Sequence, residues 1–161
     1  MDHNLSAFEQ SKAVSYKRIG ISCAAFKEND FIPLRYTCNG KNVNPALNFD
    51  NIPKEAKSLA MIVDDPDAPA GTWVHWIIWN IPVTHHLKED HAPGIQGLND
   101  FKKNTYCGPC PPKGTHRYFF KVYALDSTLE ISENSNKAVL EKAMAGHILG
   151  FGELIGLYKK E

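Results

Sequence analysis

The chain predicts a mainly β fold, a sandwich or barrel-like sheet core with a peripheral helix, on three observations. Short apolar runs, several with a period of two, recur from Ile19 to Leu125. Clusters of Gly, Pro, Asn and Asp separate them at short intervals, which is strand-and-turn punctuation. Helical spacing is convincing in one late segment alone, beginning at Ser135.

Taken in order, residues 1–18 are polar and without sustained period, and they read as a flexible leader before a single domain, 19–161. Ile19 to Phe26 and Phe31 to Tyr36 read as short strands around the polar turn Lys27-Glu28-Asn29-Asp30, and Asn39-Gly40-Lys41-Asn42 marks a further turn. Pro45 to Phe49 alternates apolar with polar residues, and Ser58 to Val63 is a buried strand. In Trp73 to Ile81 the strand period places Trp73, His75, Ile77 and Trp79 on one face, and Pro82 ends the run. Leu87 to Lys103 has no regular period and reads as a long surface loop of the kind that often carries function. A stiff Gly/Pro connection then delivers the strand His116 to Leu125, with His116, Tyr118, Phe120 and Val122 on one face. Ser135 is the expected N-cap of the helix, whose apolar stripe is Val139, Leu140, Ala143, Met144 and His147. Gly150 and Gly152 are read as its stop, and Glu153 to Tyr158 as a final strand.

Bulk properties narrow the function. At 161 residues with 43% hydrophobic content the chain is sized for one core. Eighteen basic and eighteen acidic side chains cancel, so the broad basic footprint of a nucleic-acid or anionic-membrane binder is missing. No apolar run approaches the ~20 residues of a membrane span, and the first residues lack the apolar core of a signal peptide. A soluble, cytoplasmic protein without stable membrane insertion is the expectation. The four cysteines, Cys23, Cys38, Cys107 and Cys110, are too few for a disulfide scaffold, and a cytosolic setting keeps most thiols reduced.

Chemistry concentrates at Asp64-Asp65-Pro66-Asp67-Ala68-Pro69, an acidic turn directly after a buried strand. Proline fixes its own φ and restrains the preceding residue, so Asp65 and Asp67 are held in set directions at a rim. If strand ends converge, these carboxylates meet His75 and His116. An imidazolium together with backbone N–H groups of a Gly-rich loop such as Gly108 binds a phosphate or carboxylate, while an aspartate orients a histidine or contacts a cationic part of the ligand. The competing reading is structural: the aspartates form Asx turns and the histidines are satisfied within the sheet.

These residues resemble a known family, the phosphatidylethanolamine-binding proteins, or Raf-kinase-inhibitor-like proteins. Asp65-Pro66-Asp67-Ala68-Pro69 is similar to the family's first signature and Trp73-Val74-His75-Trp76 to its aromatic-histidine strand. Gly108, with Pro111-Pro112-Lys113-Gly114-Thr115-His116-Arg117-Tyr118, resembles the second signature. The resemblance implies a β-sheet sandwich core with one or two peripheral helices and a pocket at one end. There Asp65, Asp67, His75, Gly108, His116 and Tyr118 match the family's anion-binding positions. Family members bind phosphate groups of lipid headgroups, nucleotides or phosphorylated residues, and some inhibit kinases or proteases. The implied partners are therefore an anionic small molecule or phosphorylated group and a protein kinase or protease, with no cofactor. The direct step from Thr115 to His116 and the ending after Tyr158 resemble the short bacterial and archaeal branch, whose members are often homodimers; the Trp-rich strand supplies an apolar patch for that.

Cys110 departs from the glycine of animal members and lines the implied pocket. With Cys107 it completes Cys-Gly-Pro-Cys, the tetrapeptide of the thioredoxin active site. Thioredoxin chemistry needs that first cysteine at a helix N-terminus, and here Pro111-Pro112-Lys113-Gly114 follows. A Cys107–Cys110 disulfide under oxidation stays open. Zinc on the four cysteines is disfavoured, since Cys23 and Cys38 lack the compact spacing of a second ligand pair. His85, His86 and His91 have no partner at a diagnostic metal spacing, the tryptophans read as core and rim packing, and Arg117 reads as a pocket-edge cation. The leading function is a non-catalytic binding module for an anionic group. The alternatives are a hydrolase using the Asp/His pocket, and a thiol oxidoreductase using Cys107 and Cys110.

Overall fold

The computed structural model describes residues 16–160. Most of the expected leader lies outside the described residues, yet its last part already belongs to the fold. Tyr16 packs edge-on against Phe151 with ring centroids 6.4 Å apart, and β1 (Lys17–Arg18) pairs in parallel with Gly150 and Phe151. An edge strand needs only its backbone donors and acceptors, so polar side chains at these positions gave no sign of it.

Two sheets form. The larger has the order β1-β9-β8-β4-β5-β7, built with β4 (Ser58–Asp65), β5 (Trp73–Ile81), β7 (Ile95–Gln96), β8 (Thr115–Leu125) and β9 (Ile148–Lys159). The smaller joins β2 (Gly20–Ser22), β3 (Leu47–Asp50) and β6 (His86–Leu87). Apart from β1 with β9, the strand pairs are antiparallel.

Leu47, Phe49 and Leu87 of the small sheet pack with Met61, Val63, Trp76, Tyr118, Phe120 and Leu154 of the large one. On the opposite face Ala60, Ile62, Ile77, Trp79, Tyr123 and Phe151 meet Leu140 and Met144 of α1 (Lys137–Met144). The molecule is thus a β-sandwich with a helix on its outer face. β4 lies between strands and between layers, and all eight of its residues are buried, which is why it reads as a continuous apolar run. Each large side chain so buried contributes about 1.5–3 kcal/mol.

The strict alternation expected in β5 is broken twice. Val63 pairs with Trp76 and Asp64 with Val74, leaving His75 as an extra residue; a second shift falls between Leu59 and Met61, opposite Asn80 with its φ of 56°. Ile77 and Trp79 accordingly face the helix, while His75 turns to Tyr118 in the layer between the sheets. Bulges of this kind re-aim side chains.

Other elements shift by small amounts. The expected strands over 19–26 and 31–36 shrink to β2, a single bridge from Phe31 to Leu157, and a 3-10 turn at Leu34–Tyr36. Pro33 explains the turn, since it has no N–H for a ladder and its carbonyl accepts from the Tyr36 N–H at 3.1 Å. Asn136, not Ser135, caps α1, its side chain accepting from the Val139 N–H. Gly150 and Gly152 lie inside β9, and a Cβ on Gly152 would collide with the Ile19 carbonyl. Among the described residues no helix is long and apolar enough to cross a membrane.

Candidate functional site

β4 and β8 are antiparallel neighbours in register from Ser58↔Leu125 to Asp64↔Phe119, so the C-terminal end of β4 meets the N-terminal end of β8. This places Asp65 beside His116, and both are buried. His116 Nδ1 stands 2.6 Å from Asp65 Oδ2. Asp65 Oδ1 accepts from the Asp67 backbone N–H at 2.8 Å, closing the turn through Pro66.

Asp67 does not reach a histidine. Its carboxylate takes the Arg117 backbone N–H and both Nε and Nη2 of the Arg117 guanidinium, each at 2.9 Å. That side-chain hydrogen bonding holds the Asp67 carboxyl below its usual range. The expectation that both aspartates act through the histidines is corrected to Asp65 alone, because β8 alternation points His116 inward and Arg117 outward. Arg117 is the clamp of the turn.

His75 is buried, and its Nδ1 lies 2.6 Å from the Cys107 carbonyl oxygen. A carbonyl only accepts, so Nδ1 carries the proton and the neutral ring offers Nε2 as an acceptor. Burial is the main cause that lowers its pKa below the usual histidine value, against the raising effects of the Cys107 carbonyl and the Asp65 charge. His75 sits edge-on to Tyr118 and to Phe101, with 5.3 Å between ring centroids in each case. Tyr118 stacks on His116 at 6.5 Å. Its buried hydroxyl has no hydrogen bond of acceptable geometry, and burial followed by the nearby Asp65 charge raises its pKa.

Gly108 has a structural role. Its N–H donates to Asn42 Oδ1 at 2.7 Å and is not free for an anion, and a Cβ here would strike the Tyr36 carbonyl. The expectation of a Gly108 anion nest is overturned by this close packing of two loops.

The cavity itself has a volume of about 310 Å³ and is lined by Asp65, Ala68, Pro69, Ala70, Trp73, His75, Phe101, Cys110 and Pro112. Of the residues expected there, Asp65, His75 and Cys110 form its wall; His116 and Tyr118 stand behind them, and Asp67 and Gly108 lie to the side. Sequence reasoning missed Phe101, which packs edge-on against Trp73 at 5.5 Å, and the buried Asn99 that holds it in place. Asn99 Nδ2 donates to the carbonyls of His75 and Thr105, and its Oδ1 accepts from the N–H groups of Phe101 and Lys103. A lone aromatic in a polar loop after an Asn-Asp pair was the available signal.

A profile described as phosphatidylethanolamine-binding protein matches residues 22–159 of the chain. The chain belongs to the phosphatidylethanolamine-binding protein family. A UPF0098 protein of Methanothermobacter thermautotrophicus is 48% identical to this family member over 144 residues, 84% of this chain and 95% of the relative. One from Pyrococcus abyssi is 49% identical over 149 residues, 86% of this chain and 84% of its own length. The crystal structure of a phosphatidylethanolamine-binding protein homolog from Chlamydia trachomatis matches with a TM-score of 0.86 at 42% identity, covering 89% of this chain and 99% of the other.

In this member of the family the Cys-Gly-Pro-Cys segment is not a thioredoxin-like pair. Cys110 is bonded to Cys38, 72 residues away, while Cys107 and Cys23 are free. The Cys107–Cys110 pairing left open above is excluded by a bridge between two loops that sequence spacing could not reveal, and the same bridge takes two of the four cysteines of the already disfavoured zinc site. The expectation of reduced thiols is corrected for Cys38 and Cys110. Among the described residues no group of three or more His, Cys, Asp or Glu is placed to hold a metal ion.

Proposed function

We propose that this protein is a non-catalytic binder of phosphate-type anions carried on an apolar or aromatic group. The observation that carries this reading is His75: its Nδ1 is committed to Cys107, so its Nε2 serves a ligand in a cavity otherwise walled by Trp73, Phe101 and prolines. The Asp65 carboxylate is partly satisfied by His116 and the Asp67 N–H, which reduces its repulsion of an anion and suits a ligand bearing a P–OH donor. A lipid headgroup, a small phosphomonoester and a phosphorylated side chain of a kinase or other partner share this chemistry. Its place in the cell, taken as cytoplasmic, and its assembly as a homodimer belong to the same proposal.

Phenyl phosphate titrated by calorimetry against wild type, His75→Asn and His116→Asn tests the reading. Affinity is expected to fall at least tenfold in His75→Asn and several-fold in His116→Asn; unchanged binding in both variants would remove the pocket from the account. A hydrolytic role has one supporting observation, the 2.6 Å Asp65–His116 pair, since a carboxylate in that position orients a general base. It requires turnover of phenyl phosphate that vanishes in Asp65→Asn.

A further inference from the structure

The geometry points to Cys38–Cys110 as a thiol–disulfide exchange site for small dithiols, one that latches the wall of the pocket. This inference rests on the proposed binding role only for its consequence, not for the latch itself.

Three observations converge. Both cysteines are exposed, so an attacking thiolate can reach the sulfurs. Cys110 and Pro112 line the same cavity as Trp73 and Phe101. Besides the bridge, that part of the wall is held by the packing of the buried Pro111, while Pro112, Lys113 and Gly114 are exposed. The chain from Cys110 to Gly114 contains two prolines without donors and a Gly114 at φ 71°. The Cys110 N–H comes near the Tyr118 hydroxyl without closing a hydrogen bond of acceptable geometry. The preceding residues are tied independently: Tyr106 Oη to the Tyr36 carbonyl, Gly108 N–H to Asn42, and the Cys38 N–H to the Pro109 carbonyl. Opening the bridge therefore frees the wall from residue 110 onward and leaves the His75–Cys107 contact in place.

The step balances with one dithiol. Its thiolate attacks one sulfur of the bridge, the Cys38–Cys110 bond breaks, and a mixed disulfide forms. The reductant's second thiol displaces the protein sulfur. Two electrons pass to the protein, both cysteines leave as protonated thiols, and the reductant becomes a cyclic disulfide.

Dithiothreitol serves as the dithiol and phenyl phosphate as the ligand, with amide and indole NMR spectra of the full chain recorded before and after reduction. Cys38→Ser/Cys110→Ser is the permanently open form. Retained dispersion of the Leu59–Val63 and Phe119–Val122 amides shows that each form is folded. Besides the residues flanking Cys38, the latch predicts shifts confined to residues 65–75 and 101–118, including the Trp73 indole, in both opened forms, reversed on reoxidation of the wild type, with phenyl phosphate affinity at least fivefold lower. Unchanged pocket spectra, or affinities within twofold between folded oxidised and reduced protein that does bind, overturn it. Pocket shifts on reduction without phenyl phosphate binding in either state support the latch and overturn the binding role instead.

Discussion

His75 ties the pocket to pH in two ways. Its folded pKa lies below the value of 6.5 that it has when unfolded, so between the two the unfolded chain binds more protons. The associated stability is complete above about pH 6.5 and declines as the pH falls toward the folded value, by at most about 1.4 kcal/mol per pH unit. Urea midpoints of wild type and His75→Gln from pH 5 to 8 should therefore converge as the pH is lowered. An anion on Nε2 has the opposite preference, since it favours the imidazolium. Benzenesulfonate, whose own charge is constant in this range, should bind more tightly at pH 5.5 than at pH 8 in wild type and show no such dependence in His75→Asn. Arg117→Ala releases a half-exposed bidentate clamp, for which solvent screening limits the loss to about 1 kcal/mol. Because the Asp67 pKa is lowered, that contribution is present above about pH 4 and disappears as the pH falls through the folded value. At this scale the motif residues were legible from their order in the chain. Their partners were not, because the sharing of Asp65 with His116 and of Asp67 with Arg117 is set by which way β8 residues point.

Elements explain why the aromatic wall escaped notice. The segment from Leu87 to Lys103 reads as a long surface loop, yet it seals the exposed edge of β5: Gly97 N–H reaches the Ile77 carbonyl and Asp100 N–H the Val74 carbonyl. Asp100 Oδ2 in turn accepts from the Val74 N–H at 2.7 Å. Asn99 is the pin of this seal, its buried amide making four hydrogen bonds to backbone groups and a fifth to Cys107 Sγ. Asn99→Ala leaves the N–H groups of Phe101 and Lys103 without their acceptor, a cost of about 1–3 kcal/mol. Amide exchange over residues 97–104 should accelerate and Phe101 should lose its contact with Trp73, whereas the β4 and β8 amides stay protected; uniform acceleration throughout would mean that Asn99 supports the whole fold. The strand β8, the buried β4 and the late helix were readable because each buries a periodic face. The loop was not, since side-chain capping of an edge has no period, and the β5 bulges likewise turn on a backbone register that alternation alone cannot display.

At the scale of the whole molecule, the sandwich class follows from many short buried strands and one helix, but the covalent topology does not. The Cys38–Cys110 bridge joins the loop after the 3-10 turn to the loop before β8, enclosing β3 to β7 between its ends. A cross-link over 72 residues removes loop-closure entropy from the unfolded chain equivalent to about 4 kcal/mol in the simple chain model, an upper figure because unfolded ensembles are already compact. The contacts that tie residues 106–109 survive its opening, as the hydrogen bonds of Tyr106, Gly108 and Cys38 are independent of sulfur. Reduction should therefore lower stability through the unfolded state, by about 2–4 kcal/mol. For a domain of this size that is roughly a 4–16 °C fall in Tm. If the effect is entropic in the unfolded chain, Cys38→Ser and Cys110→Ser should show the same loss as reduced wild type, within about 0.5 kcal/mol. The discriminating measurement is kinetic. A constraint on the unfolded ensemble slows refolding when removed and leaves unfolding rates nearly unchanged, provided the joined loops are already close in the transition state. Faster unfolding with unaltered refolding would place the bridge's contribution in native contacts formed late, at the wall of the pocket.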